Sequence, residues 1–173
     1  MSDIGQIERK TQNRVVKLLR EQLGYEYAGN LEDKSNGNVM VDVLTSYLLG
    51  RDYSSALVTK ALEVLDKAAN DSTKRLYDRN RQVYELLRYG VKVKPEHGAQ
   101  TETVELIDWA QPLKNTFTVA EEVSVAGKTG PGSTKRPDVV LYVNGIALGV
   151  LELKRSTVSV TEGIRQNLDN QRP

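Results

Sequence analysis

Three ionisable side chains stand where an apolar sheet would exclude them. Asp138 precedes the run Val139-Val140-Leu141-Tyr142-Val143, and Glu152 and Lys154 follow the run Ile146-Ala147-Leu148-Gly149-Val150-Leu151. Burying such groups is costly unless they are paired or bind a metal. Glu152 and Lys154 are two residues apart, so on an extended strand they project from one face. If Asp138 shares that face, two carboxylates and the main-chain carbonyl of Leu153 supply hard oxygen donors at spacings that suit Mg2+, with water completing an octahedron. Such an ion neutralises charge developing on a phosphate and acidifies a bound water. A neighbouring ammonium orients the nucleophile or stabilises a pentavalent phosphate. The chemistry this set could perform is phosphodiester hydrolysis.

Composition removes the competing chemistries. There is no cysteine, so disulfides, thiolate metal sites and cysteine nucleophiles are excluded, and the single histidine, His97, cannot build a histidine zinc site. Any metal here is held by oxygen. With 39% hydrophobic and 27% charged residues and a mean hydropathy of −0.47, the chain reads as a globular protein. No apolar run approaches the roughly 18 residues of a spanning helix. The start MSDIGQIERK lacks the apolar centre of a signal peptide, so a cytoplasmic protein with no membrane partner is expected.

The 173 residues predict a single domain, 1–173, and the stop at Arg172-Pro173 reads as one piece of a longer polypeptide. The net charge of +1 is unlike the basic footprint of a nucleic-acid binder. It is an average, however: the balances over 1–59, 60–94, 95–127 and 128–173 are −1, +4, −5 and +3. A basic face forms if 60–94 and 128–173 fold together, and solvated helix surface accounts equally for the same pattern.

The elements that must position the three charges follow from hydrophobic periodicity. Apolar residues at Ile7, Val15, Leu18, Leu19 and Leu23 predict a helix over 5–22, stopped by Gly24. Tyr25 to Asn38, rich in Gly, Asn and Ser, reads as a loop, with a short helix through Val39–Leu49. Ser54 or Ser55 caps a helix over 55–69, with Leu57, Ala61, Val64, Leu65 and Ala68 inward. A further helix ends at Gly90, with Leu76, Val83, Leu86 and Leu87 inward and Arg75, Arg79, Arg81 and Arg88 outward. Beyond Gly90 the period becomes that of strands, at Val91–Lys94, Thr103–Ile107, Phe117–Val125 and the two runs beside Asn144-Gly145. Ser159 and Glu162 have capping-box spacing for a last helix over 160–170, with Ile164 and Leu168 inward.

The Asn144-Gly145 hairpin decides whether the charges meet. A regular two-residue turn pairs Val143 with Ile146 and sets Asp138 on the face opposite Glu152. A three-residue turn with a G1 bulge, or an equivalent bulge within one strand, brings both acids to one face. The sequence leaves both open.

The pattern Pro137-Asp138 … Glu152-Leu153-Lys154 resembles that of the PD-(D/E)xK nuclease superfamily. More closely, the chain resembles the N-terminal nuclease domain of the restriction (R, motor) subunit of type I restriction-modification enzymes. The stretches that carry this are Thr11-Gln12-Asn13-Arg14-Val15-Val16, Leu23-Gly24-Tyr25, Leu106-Ile107-Asp108-Trp109, Asn115-Thr116-Phe117, Arg136 to Ile146 and Leu151 to Lys154.

The resemblance implies a restriction-endonuclease-like α/β core, with a central mixed β-sheet flanked by helices and a helical N-terminal half. It assigns Asp138 and Glu152 as magnesium ligands and Lys154 as the catalytic lysine. It also expects a glutamine in the following helix, in a Gln-x-x-x-Tyr arrangement; Gln166 matches, and Asn170 stands at the tyrosine position. Some relatives add an acid from the first helix, for which Glu8 is the candidate. Lys135 and Arg136 are candidate DNA contacts, as is Asn170. The implied function is magnesium-dependent cleavage of unmodified duplex DNA. ATP would act only through motor domains outside this chain, and the partners would be methyltransferase and specificity subunits.

Two other readings share these residues: a catalytically silent DNA-binding or docking module, and a repair or recombination nuclease of the same superfamily. Among the remaining residues, His97 reads as a loop residue, Trp109 as packing at a strand end, and the arginines of 75–88 as a solvated face. Gly127-Lys128-Thr129-Gly130 lacks the order of a phosphate loop.

Overall fold

A computed structural model describes residues 3–32, 37–126, 134–153, 161, 164–165 and 168–169, without the side chains of 3–8, 125–126 and 134–135. The elements run α1 (Asp3–Glu21), β1 (Glu26–Asn30), α2 (Val41–Leu49), α3 (Ser55–Asn70), α4 (Leu76–Tyr89), β2 (Val91–Val93) and β3 (Glu102–Val104). A 3-10 turn (Pro112–Lys114) follows, then β4 (Phe117–Glu121), β5 (Val125–Ala126), β6 (Thr134–Lys135), β7 (Val139–Val143) and β8 (Ile146–Leu151). Among the described residues no helix is long and apolar enough to cross a membrane. The protein is α/β, with a mixed central sheet and a helical N-terminal half as expected.

The chain forms two compact units, one from residues 1–40 with 116–173 and one from Val41–Asn115. In the first, the sheet order is β1-β4-β7-β8; β1 runs parallel to β4 and the other pairs are antiparallel. Val16 and Leu19 of α1 bury against Val119 and Val139 on one sheet face. Leu31, Ala120, Val123, Val140 and Tyr142 form the core on the other. Each fully buried aliphatic chain here contributes about 1.5–3 kcal/mol.

Strand β1 corrects the loop predicted over Tyr25–Asn38. Glu-Tyr-Ala-Gly-Asn has no apolar alternation, because β1 is an edge strand whose conformation is imposed by pairing with β4. Helix α2 begins at Val41, close to expectation.

In the second unit the Ser54 hydroxyl accepts from the Leu57 N–H at 3.3 Å and opens α3, which buries Leu57, Val58, Ala61, Leu65 and Ala68. Helix α4 ends at Gly90, which has φ +76°; a Cβ there would lie 2.6 Å from Thr103 Cγ2. Arg79, predicted outward, is 9% exposed, and its Nε has no hydrogen-bond partner among the described residues. The helix phase explains it: Arg79 lies at i+3 from Leu76 and i−4 from Val83, on the inner side.

His97 is exposed in a turn. Residues 161, 164–165 and 168–169 are helical, but Ile164 and Leu168, predicted inward, are 55% and 51% exposed; among the described residues nothing covers them.

Candidate active site

The geometry begins at the hairpin between β7 and β8. Asn144 and Gly145 both take positive φ, 51° and 81°, as a two-residue turn of the I′ kind requires. Asn144 suits the first position because its side chain also works. It is fully buried, its Oδ1 accepts the Thr116 N–H at 2.8 Å, and its own N–H donates to the Thr116 carbonyl. The turn pairs Val143 with Ile146 and Tyr142 with Ala147.

The register then shifts. Leu141 pairs with Gly149, Val140 with Val150 and Val139 with Leu151, so Leu148 is an extra residue bulged out of β8. Continuing one residue past each strand sets Asp138 opposite Glu152. Directly opposed residues project from the same face, here the face of Val140 and Val150. The turn is therefore the regular one, and the bulge within β8 supplies the one-residue correction that the turn does not.

Asp138 is held at both ends. Its Oδ2 accepts the Leu153 N–H at 2.6 Å. Its carbonyl accepts the Glu122 N–H at 3.0 Å and the Gln12 Nε2–H at 3.1 Å. Gln12 also donates to Glu122 Oε1 at 3.2 Å, and Glu122 has φ +52°, a left-handed backbone outside glycine. Arg136 Nε lies 3.0 Å from Glu122 Oε2, and the same guanidinium contacts Glu32. Arg9 of α1 lies 3.9 Å from both Glu121 and Glu122.

Glu121 is 4% exposed. One oxygen accepts the Tyr27 hydroxyl, and the other, Oε1, has no hydrogen bond among the described residues. That bond to Glu121, and then burial, hold the Tyr27 hydroxyl above its ordinary range.

Among the described residues no group of three or more His, Cys, Asp or Glu gathers as a metal cluster. Asp138, Glu152 and the Leu153 carbonyl are oxygen donors all the same, and Mg2+ commonly takes only one or two carboxylates and keeps its waters. The donor set fits that ion.

Of the predicted residues, the structure bonds the Asp138 carboxylate to the Leu153 N–H, carries Glu152 one residue past the β7–β8 ladder on the same register as Asp138, and sets Arg136 beside Glu122. Lys154, Gln166 and Asn170 lie outside the described residues, as do the side chains of Glu8 in α1 and Lys135 in β6. Sequence reasoning missed Gln12, Glu121 and Glu122. Gln12 had a signal: four residues before Val16, it is a polar residue on the apolar stripe of α1, and it is 5% exposed. Glu121-Glu122 closing an apolar strand is the same anomaly that marked Asp138 and Glu152.

Comparison with known proteins gives this sheet a family. The family described as type I restriction enzyme R protein N terminus matches residues 5–173. The chain belongs to that family. It is 33% identical over 96 residues to the type I restriction enzyme MjaIXP endonuclease subunit of Methanocaldococcus jannaschii, covering 54% of this chain and 9% of that subunit. It is 32% identical over 122 residues to the type I restriction enzyme HindI endonuclease subunit of Haemophilus influenzae, covering 69% of this chain and 11% of that one. The matched stretches thus span about a tenth of these relatives' own lengths.

Proposed function

We propose that the end of the β7–β8 hairpin is a magnesium-dependent phosphodiesterase site that cuts unmodified duplex DNA within a type I restriction enzyme. The observation that carries this reading is the register: the Leu148 bulge sets Asp138 opposite Glu152, and the Leu153 N–H fixes the Asp138 carboxylate. Membership of the R-protein family and the names of the two relatives support it.

Asp138, Glu152 and the Leu153 carbonyl would hold the magnesium, which when bound supplies Lewis-acid stabilisation to charge on the phosphate oxygens. Lys154 orients the attacking water or meets the pentavalent phosphate with its ammonium. Gln166, with Asn170 four residues on, orders Lys154 or reaches the DNA. Lys135 and Arg136 contact the strand phosphates. Gln12 and the Glu122 N–H hold the Asp138 main chain, so they position a ligand without touching substrate. ATP acts through motor domains elsewhere in the subunit, and the methyltransferase and specificity subunits complete a cytoplasmic assembly.

The test is cleavage of unmethylated duplex DNA by the assembled enzyme carrying Asp138→Ala, Glu152→Ala or Lys154→Ala. Each is expected to abolish cutting while ATP hydrolysis stays near normal. Calorimetric Ca2+ binding to the chain should disappear with Asp138→Ala. Undiminished cutting by any variant removes that residue from the site.

A further inference from the structure

The arginines of α4 do not share one environment. Tyr77, Arg81, Tyr84 and Arg88, spaced four, three and four residues apart, line the side of the helix opposite Leu76, Arg79, Val83 and Leu86. All four are exposed, Tyr77 at 74% and Tyr84 at 60%. The stripe is roughly 16 Å long at a rise of 1.5 Å per residue. At its C-terminal end the Arg88 guanidinium lies 5.6 Å from the Trp109 ring centroid and 5.9 Å from that of Tyr89. Trp109 is half exposed and anchored by its indole N–H on the Leu87 carbonyl at 2.8 Å.

Charge agrees with this pattern. Lys74 to Lys94 contains seven basic and two acidic residues, a strong local excess in a chain of net charge +1. Within the stripe Arg81 pairs with Glu85 at 3.1 Å, an exposed i,i+4 contact of little worth that a phosphate can replace.

We propose that this face of α4, with Trp109, binds single-stranded nucleic acid. Arg81 and Arg88 meet phosphates, and Tyr77, Tyr84 and Trp109 stack unpaired bases. Alternating cations and exposed rings are what a sequence-tolerant strand-binding surface uses. A duplex keeps its bases stacked and offers these rings no π-face. The proposal uses no residue of the candidate active site and does not depend on cleavage.

The experiment is fluorescence anisotropy of a labelled oligothymidylate of about fifteen nucleotides, near the upper site size for such surfaces. It uses the whole chain carrying Asp138→Asn, without divalent cation. The pair Tyr77→Ala and Tyr84→Ala is expected to weaken binding at least about tenfold, and the pair Tyr77→Phe and Tyr84→Phe to restore it. Arg81→Gln with Arg88→Gln should flatten the slope of log affinity against log salt by about 1.4, at roughly 0.7 per single-strand phosphate. Emission from Trp109, the sole tryptophan, should be quenched on binding. The proposal is overturned by parental affinity in the alanine pair, by a duplex of equal length binding as tightly, or by anisotropy rising with Trp109 emission unchanged.

Discussion

The two units each contain a network of buried and half-buried charges, and the networks are built differently. In Val41–Asn115 the Arg51 guanidinium holds Asp108 Oδ2 at 2.8 Å and Glu105 at 3.1 Å. Asp108 Oδ1 accepts the Gln111 N–H, and Asn115 bonds the Asp108 N–H, the Asp108 carbonyl and the Pro112 carbonyl while accepting from Tyr47. The groups named here pair with one another, which is how a polar network specifies a loop. At the sheet end of the other unit Arg9 lies near Glu121 and Glu122, and Arg136 contacts Glu122 and Glu32; one buried Glu121 oxygen has no hydrogen bond among the described residues, and Glu122 has a strained backbone. A satisfied network serves the fold. An incompletely satisfied one costs stability.

The contrast can be broken in four ways. The largest effect belongs to Asp138→Asn and Glu152→Gln, which keep shape and remove charge. DNA cleavage by the assembled enzyme should fall by about a thousandfold or more, while thermal unfolding shifts by no more than about 2 °C. Loss of folding instead of cleavage would make the sheet-end acids structural.

Next is Asn115→Ala, which leaves the buried Asp108 N–H unpaired; urea denaturation should show a loss of about 3 kcal/mol. A change below about 1 kcal/mol would show that the loop does not depend on this network.

A smaller effect is set by pH. The Gln111 N–H, and then Arg51, hold the Asp108 carboxyl below the ordinary carboxylate range. A depressed folded pKa gives stability that is complete above the unfolded value of about 4 and is lost as pH falls through the folded value. Asp108→Asn should therefore flatten the acid limb of a stability-against-pH curve, and an unaltered limb would refute the assignment.

The smallest change is expected for Glu121→Gln. With Oε1 already lacking a hydrogen bond, stability should stay within about 1 kcal/mol of the parent. A loss matching Asn115→Ala would erase the difference between the two networks.

Much of the fold was legible. Helix α3 announced its cap at Ser54 and its buried face. The Asn144-Gly145 turn was visible because few other residue pairs accept two consecutive positive φ values. Strand β1 was not legible, because an edge strand takes its conformation from the neighbour it pairs with. Arg79 was misplaced because it shares its helical position with Leu76 and Val83, and charge alone suggested the opposite side. Gln12 escaped because it holds a main chain more than a hundred residues away, and Glu122 because its N–H bonds the Asp138 carbonyl of the paired strand.

Residue type and short-range spacing determined the candidate chemistry: two acids and a lysine at the ends of apolar runs, with no thiol or histidine site to compete. Where Asp138 and Glu152 stand relative to one another was decided only in the tertiary structure. Side chains alternate with a period of two, so a single extra residue reverses every face beyond it. Turn chemistry fixes the register next to Asn144, whereas the bulge at Leu148 forms where the packing of Val139, Val140, Val150 and Leu151 into the two cores demands it.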